Sequence, residues 1–177
     1  ATPYLSLALW SPQHGTLAQV HERVERDHTR RILGELEQLF RASGVVKSDL
    51  KGITIGLGPG SYTGLRVGHA TAQGLARGLG IAYKGVSSLE AIAATGLTEG
   101  EIGVVALDAR RGNVYAGIYE QRNHNIIVVR NVEKVARDAL RSDYPGLPYF
   151  EGKAPDASYL ARCFVKNERT GKNLIYL

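Results

Sequence analysis

The sequence predicts an α/β fold built from two related halves with mixed sheets, and three observations support this. Apolar residues alternate over residues 4–10, as in a half-buried strand, but recur every three or four residues over 32–40, as in a helix. Hairpin strands followed by a helix occur before Gly44 and again over residues 102–141. The 177 residues, 44% of them hydrophobic, suffice for a buried core. We expect an N-terminal subdomain over residues 1–98 and a smaller one over 99–177.

The first half begins with a predicted hairpin. Leu5, Leu7 and Leu9 share one face of a strand, residues 11–15 form a turn, and residues 16–22 return. A helix then starts near Asp27 and ends at Gly44. A strand over residues 53–57 enters a glycine-rich turn, which leads into a second helix that continues to about residue 80.

The second half contains a predicted meander. A strand over residues 81–86 precedes a helix over 89–94, for which Ser87 or Ser88 is the expected cap. Strands over 102–107, 114–120 and 126–130 follow, and then a helix over 132–141. Residues 144–148 are a predicted loop and 157–165 a predicted helix, followed by a polar stretch and a short apolar tail at 174–177.

Composition narrows the class of protein. The net charge is +5 and the pI about 9.4, but the basic residues are spread out, so we favour a solvated surface over a nucleic-acid site. A single cysteine, Cys163, has no internal partner for a disulfide, which favours a cytoplasmic setting. The sequence has no apolar run of membrane-spanning length and no signal-peptide pattern, so we expect no membrane association.

The glycine-rich turn, residues 56–68, fails three motif tests. A Walker A loop needs Lys followed by Ser or Thr after its last glycine, but Leu65 and Arg66 follow Gly64. The dinucleotide fingerprint lacks its third glycine, and a serine-hydrolase elbow would need glycine where Pro59 stands. Two interpretations stay open: a helix N-terminus that receives an anion, and a tight corner whose glycines serve packing, with the second slightly favoured.

The helix after this turn has a stripe of small residues at four-residue spacing. Glycine inside a helix costs about 0.5–1 kcal/mol relative to alanine, so another element must hold this helix, and closely packed helices are one solution. A strict four-residue stripe drifts around the helix by about 40° per step. The stripe consists of Gly60, Gly64, Gly68, Ala72, Ala76 and Gly80.

Other reactive residue types form no clear site. Asp108 ends a predicted buried strand, where α/β folds often place functional carboxylates, but a turn residue that binds backbone N–H groups is an equal alternative. No histidine pair has the helical spacing of a zinc protease. We expect His28 to be a surface or capping residue and Cys163 to pack in the core.

Four segments together resemble the TsaB (YeaZ) family. They cover the first 120 residues, and the resemblance is thin from Gln121 onward. The segments are Asp27 to Leu33 (DHTRRIL), Gly58 to Gly68 (GPGSYTGLRVG), Gly85 to Leu89 (GVSSL) and Leu107 to Tyr115 (LDARRGNVY).

The resemblance implies an actin-like, Hsp70-like ATPase fold and a role in making N6-threonylcarbamoyladenosine in tRNA. Family members are not the transferase; they pair with the paralogue TsaD, which holds the metal and catalytic site, and with the ATPase TsaE. The family also implies homodimers, tRNA contact through the complex, and no cofactor of its own, with ATP or ADP in the complex. Members usually begin with a strand ending in Asp-Thr-Ser or Asp-Thr-Ala, so we expect the first strand here to be incomplete.

The resemblance also implies which surfaces function. The two helices that start near His28 and Tyr62 would form the surface that pairs subunits, and a leucine at Gly68 is expected to abolish pairing while sparing the fold. The implied interface residues are His28, Ile32, Leu36, Tyr62, Gly64, Leu65, Gly68, Ala72 and Leu75. The residues that would face a nucleotide are Gly58, Gly60, Ser61 and Asp108. The alternatives are an ATPase or kinase-like enzyme dependent on Asp108, and a direct tRNA-binding module.

Overall fold

The computed structural model describes residues 4–24 and 27–166. In chain order the strands and helices are β1 (Tyr4–Ser11), β2 (Gly15–Arg23), α1 (His28–Ser43), β3 (Gly52–Gly56), α2 (Tyr62–Leu79), β4 (Ala82–Val86), α3 (Ser88–Gly96), β5 (Ile102–Asp108), β6 (Asn113–Arg122), β7 (Asn125–Ala136), α4 (Arg137–Asp143), β8 (Tyr149–Glu151) and α5 (Ala157–Lys166). A short 3₁₀ turn, Lys47–Asp49, precedes β3. The predicted apolar tail at 174–177 lies outside the described residues.

The first half contains two separate strand pairs. The predicted hairpin is confirmed, because β1 and β2 pair antiparallel with Leu7 opposite Val20. Strands β3 and β4 pair in parallel, joined by the crossover helix α2 that a parallel connection requires. Within the described residues no backbone ladder joins one pair to the other.

The helix ends are capped by glycines and serine side chains, as predicted for Gly44 and Ser87. Helix α1 ends at Gly44 and α2 at Gly80, and both glycines adopt the left-handed conformation at φ of 68° and 66°. Ser61 caps α2 by accepting the N–H of Gly64 at 3.0 Å. Ser87 is the cap of α3, and its hydroxyl accepts the N–H of Leu89 at 3.3 Å.

The second half is a four-stranded sheet in the order β7-β6-β5-β8. The antiparallel meander of β5, β6 and β7 was predicted; the three-residue strand β8, parallel to β5, was not. The predicted helix over 132–141 was wrong in its first part, since β7 continues to Ala136 and α4 starts at Arg137. Val132 and Val135 pack into different core clusters, because residues three apart in a strand point to opposite faces of the sheet. Both are β-branched, which favours a strand.

Helix α3 lies at the centre of the main core. Leu89 and Ile92 are completely buried and pack in one cluster with Val105 and Tyr119 of the second sheet. Helix α5 crosses back to the first half, where it contacts β1 and β3, and its Cys163 is buried as predicted. The helix before the proposed boundary at residue 98 therefore packs with the sheet after it, and the boundary itself stays a prediction.

Candidate functional site

The glycine-rich turn is anchored to the start of α3. The Gly58 N–H donates to the Ser88 hydroxyl at 3.1 Å, and the Ser88 N–H donates back to the Gly58 carbonyl at 2.8 Å. One residue earlier, the Leu57 N–H donates to the carbonyl of Val86 at 2.8 Å. Gly58 has φ of 108°, which side-chain-bearing residues rarely adopt. Its backbone N–H and carbonyl are therefore both used within the protein.

Close packing explains two further glycines here. A Cβ on Gly56 would lie 2.9 Å from the Ser88 Oγ, and one on Gly85 would lie 2.2 Å from Cδ2 of Leu57. Neither site has room for a methyl group unless its neighbour moves. This geometry supports the packing interpretation of the corner.

Asp108 lies in an ion-pair network at the β5–β6 turn. Its carboxylate accepts the Arg110 N–H at 3.2 Å and a guanidinium N–H of Arg137 at 3.1 Å, and its side chain is 61% exposed. Arg137 also binds the carboxylate of Glu151 at 2.7 Å. Hydrogen bonding to Glu151, with a smaller contribution from Asp108, raises the pKa of Arg137. Among the described residues, Asp108 contacts this network rather than Gly58, Gly60 or Ser61.

The turn beside Asp108 has unusual backbone angles. Arg110 and Arg111 have φ of 64° and 53°, and Gly112 continues the left-handed run at 75°. This conformation costs a residue with a side chain roughly 1–2 kcal/mol. It is held by the Asn113 side chain, which donates to the Arg111 carbonyl at 3.2 Å, and by the Arg137 N–H, which donates to the Gly112 carbonyl at 2.9 Å.

Helix α2 turns its small-residue stripe toward the protein interior. Ala72 is 6% exposed, and a Cβ on Gly68 would lie 3.4 Å from Cδ1 of Ile55 in β3. The implied interface role of Gly68 and Ala72 stays a prediction. A leucine at Gly68 would extend into Ile55, so it would test the fold before it tested association.

The outer face of α1 and α2 contains Tyr62, which was among the expected interface residues, together with residues that were not. Leu33 and Tyr62 are 63% and 58% exposed, and a Cβ on Gly34, Gly74 or Gly78 would meet no atom within 4 Å. Between the helices lies a groove of about 320 Å³, with Leu33, Gly34 and Leu75 among its lining residues. The sequence did contain a signal for this face, because Ala70, Gly74 and Gly78 form a second small-residue stripe at four-residue spacing.

Of the other expected interface residues, Leu36 and Leu75 line the outer groove, whereas Ile32, Gly64 and Leu65 lie beside or below this face. Ile32 is buried against Leu5 and Val24, where Leu36 also packs. Gly64 and Leu65 line a deeper cleft, and Leu75 lines both the cleft and the outer groove. His28 is the first residue of α1, and its side chain lies outside the described part of the structure.

The deeper cleft has a volume of about 910 Å³ and lies between the two strand pairs of the first half. All residues of β1 and of β3 line it, together with residues of α1, α2 and α5. The ring of Phe164, near the end of α5, occupies the space where a Cβ on Gly52 would lie. Within residues 4–24 and 27–166, no three His, Cys, Asp or Glu side chains converge as a metal site requires. No helix in the described ranges is long and apolar enough to span a membrane.

Comparison with known proteins gave consistent matches. The family model described as "TsaD: tRNA N6-adenosine threonylcarbamoyltransferase" matches residues 17–171. The tRNA threonylcarbamoyladenosine biosynthesis protein TsaB of Escherichia coli is 38% identical over 142 residues, which cover 79% of this chain and 61% of that protein. TsaB of Bacillus subtilis is 36% identical over 107 residues, covering 60% and 47%. The chain thus spans about half to three-fifths of the length of these relatives.

The solved structure of YeaZ from Pseudomonas aeruginosa superposes with a TM-score of 0.82 at 24% identity. The match covers 99% of this chain and 95% of that one. Together with the family model, it confirms the predicted actin-like ATPase fold.

Proposed function

The chain belongs to the TsaB (YeaZ) family, and on that premise we propose that it is a scaffold and activator subunit for N6-threonylcarbamoyladenosine formation in tRNA. In this proposal it has no catalytic site of its own and pairs with a TsaD-type paralogue and a TsaE-type ATPase. Alone it forms a homodimer, and it meets tRNA through the complex. We propose that it functions in the cytoplasm.

The observation that supports pairing is the outer face of α1 and α2. Large exposed apolar side chains, Leu33 and Tyr62, lie on the same helix pair as open glycines. Burying one such side chain contributes about 1.5–3 kcal/mol, and aromatic residues are enriched at the centre of interfaces. Glycines without a neighbour let a partner helix approach closely. This face is where we propose that the partner binds, with His28, Leu65 and Leu75 at its margin.

The glycine-rich turn supports a structural role more than a nucleotide site of this subunit. Both backbone groups of Gly58 bind Ser88, and Ser61 is occupied as the cap of α2. Asp108 is paired with Arg137. We propose that any ATP or ADP is held in the assembled complex rather than by Gly58, Gly60, Ser61 and Asp108 of this chain alone.

A pair of glycine-to-leucine variants tests the interface. Gly74→Leu places a side chain in open space on the outer face, so it should preserve the fold and abolish co-purification with the TsaD-type subunit of the same organism. The matched control is Gly146→Leu, which also has no neighbour within 4 Å but lies in the α4–β8 loop of the second half. It should leave pairing unchanged. Equal pairing by both variants would remove this face from the proposal.

The function itself is tested by reconstitution. Modification of unmodified tRNA is measured with the TsaD- and TsaE-type subunits, threonylcarbamoyl-AMP and this chain, and again with the chain omitted. We expect product only in the complete mixture, and a loss with Gly74→Leu that Gly146→Leu does not cause. Equal product without the chain would refute an activator role. ATP turnover by the isolated chain, lost in Asp108→Asn, would instead favour an enzyme.

A further inference from the structure

The β5–β6 turn presents two arginines that the fold leaves unused. Arg110 and Arg111 are exposed, and neither guanidinium has a hydrogen bond or ion pair among the described residues, although the backbone of both is bound. Their neighbour Arg137, in contrast, is held by two carboxylates. Within the part of the chain that the structure describes, the two guanidinium groups are therefore unpaired cations at the tip of a fixed turn.

Two carboxylates at this end of the sheet, those of Asp108 and Glu151, both contact the guanidinium of Arg137. Arg137 thus engages both carboxylates, and the guanidinium groups of Arg110 and Arg111 make no ion pair within the described residues. Asp108 also accepts the backbone N–H of Arg110, so it fixes the turn without neutralising the Arg110 side chain.

Arginines at positions 110 and 111 cost more backbone strain than the residues usually found in such a turn. Asparagine and glycine tolerate left-handed angles best, and the next turn of the same sheet has Asn123 and His124 at φ of 52° and 58°. Arginine has no such advantage, so the turn would be less strained with other residues. Strained residues held by their surroundings are typical of functional sites. Hydrogen bonds from the Asn113 side chain to the carbonyls of both arginines hold this strain in place.

We propose that Arg110 and Arg111 bind phosphate groups of an RNA backbone. The guanidinium fork matches two phosphate oxygens at once and stays charged at any physiological pH. Two adjacent forks on a fixed turn suit a polymer with successive phosphates better than a small anion. This contact is independent of the α1–α2 face, and it goes beyond the proposed function by adding a direct RNA contact of this subunit to the contact made through the complex.

The double variant Arg110→Asn/Arg111→Asn tests the proposal, because asparagine accepts left-handed angles and removes both charges. Fluorescence anisotropy measures binding of an unmodified tRNA transcript to the whole chain at about 50–200 mM salt. We expect the affinity to fall about tenfold or more, and the slope of log K against log salt to become shallower by roughly 1.4–1.8 for two lost contacts. The melting midpoint should not fall, since the strain is relieved.

The control Lys51→Gln/Arg77→Gln removes the same net charge from two exposed positions in the first half of the chain. It should change the affinity only slightly and leave the slope nearly intact. The proposal is overturned if the arginine variant binds tRNA as the parent does, or if the control loses as much. A competition arm with ATP separates the sources of phosphate: binding of ATP, lost in the arginine variant while tRNA binding persists, would make this a nucleotide site and overturn the RNA assignment.

Discussion

A methyl group added at Gly56 tests how the glycine-rich turn is held. Its Cβ would lie 2.9 Å from the Ser88 Oγ, so the serine hydroxyl must turn away from the Gly58 N–H that it accepts at 3.1 Å. That N–H belongs to a buried residue. Gly56→Ala should therefore destabilise the protein by breaking a hydrogen bond two residues away, without altering either of its atoms.

The magnitude follows from two opposing effects. Leaving a buried backbone N–H without a partner costs about 1–3 kcal/mol. Replacing glycine by alanine returns about 0.4–1 kcal/mol, because the unfolded chain loses freedom and Gly56 is not among the glycines with positive φ. In the Ser88→Ala background the hydroxyl is already gone, so only the second effect remains. Gly56→Ala should then be neutral or stabilising, with a coupling energy of about 1–3 kcal/mol between the positions.

The assay is urea unfolding of the four proteins of this cycle, followed by circular dichroism and by the fluorescence of the single tryptophan, Trp10. Coincident transitions and equal m-values are required for the comparison. For a chain of this length a change of 1 kcal/mol moves the melting midpoint by about 2–4 °C, which thermal scans detect. If Gly56→Ala costs the same with serine and with alanine at position 88, the proposed contact does not exist.

Three more predictions concern stability. Gly85→Ala, whose Cβ would meet Leu57 at 2.2 Å, should cost about 1–3 kcal/mol in urea unfolding, whereas Gly78→Ala in open space should gain about 0.5–1 kcal/mol; equal effects would contradict the packing. The backbone N–H groups of His124 and Asn123 bind the Glu99 carboxylate and lower its pKa. The ionised carboxylate therefore stabilises the folded protein fully above about pH 4.5, and this contribution is lost as the pH falls through the lowered pKa. Glu99→Gln should remove this part of the loss of stability at acid pH. If the variant loses stability at acid pH as the parent does, Glu99 is not the cause. Burial raises the pKa of Tyr119, so stability should fall above about pH 10, where only the unfolded tyrosine ionises. Because burial also raises the pKa of Tyr149, Tyr119→Phe should reduce this loss in alkaline denaturation without abolishing it, and an unchanged loss would contradict the prediction.

Local chemistry made much of the fold predictable. Ser61, Gly44 and Gly80 define helix ends through capping and left-handed angles, which depend on few neighbours. Strand β8 was missed because three residues have no period to read, and they become a strand only beside β5. Residues 132–136 were predicted to be helical because, in a short segment, the spacing of apolar residues alone does not distinguish a helix from a strand. Pairing with β6 decides between them.

The candidate site was less predictable, because helix rotation is set by tertiary packing. Small residues at four-residue spacing predicted that α2 packs closely against another element. The spacing does not show whether that element is a second helix or a strand of the same protein. Contact of Gly68 with Ile55 turns that stripe inward, and Gly74 and Gly78 consequently face outward. The role of Ser88 also depends on a long-range approach, since thirty residues separate it from Gly58.

The cleft between the two strand pairs has a consequence for motion. No backbone ladder crosses it within the described residues, so the pairs are held to each other through helices, with α5 contacting both β1 and β3. Side-chain contacts such as that of Phe164 with Gly52 therefore set the separation of the pairs. The distance between the two strand pairs can therefore change without breaking any hydrogen bond within either pair. Amide protons on the facing edges of β1 and β3 should consequently exchange with solvent faster than those between β5 and β6, where every residue of β5 is paired.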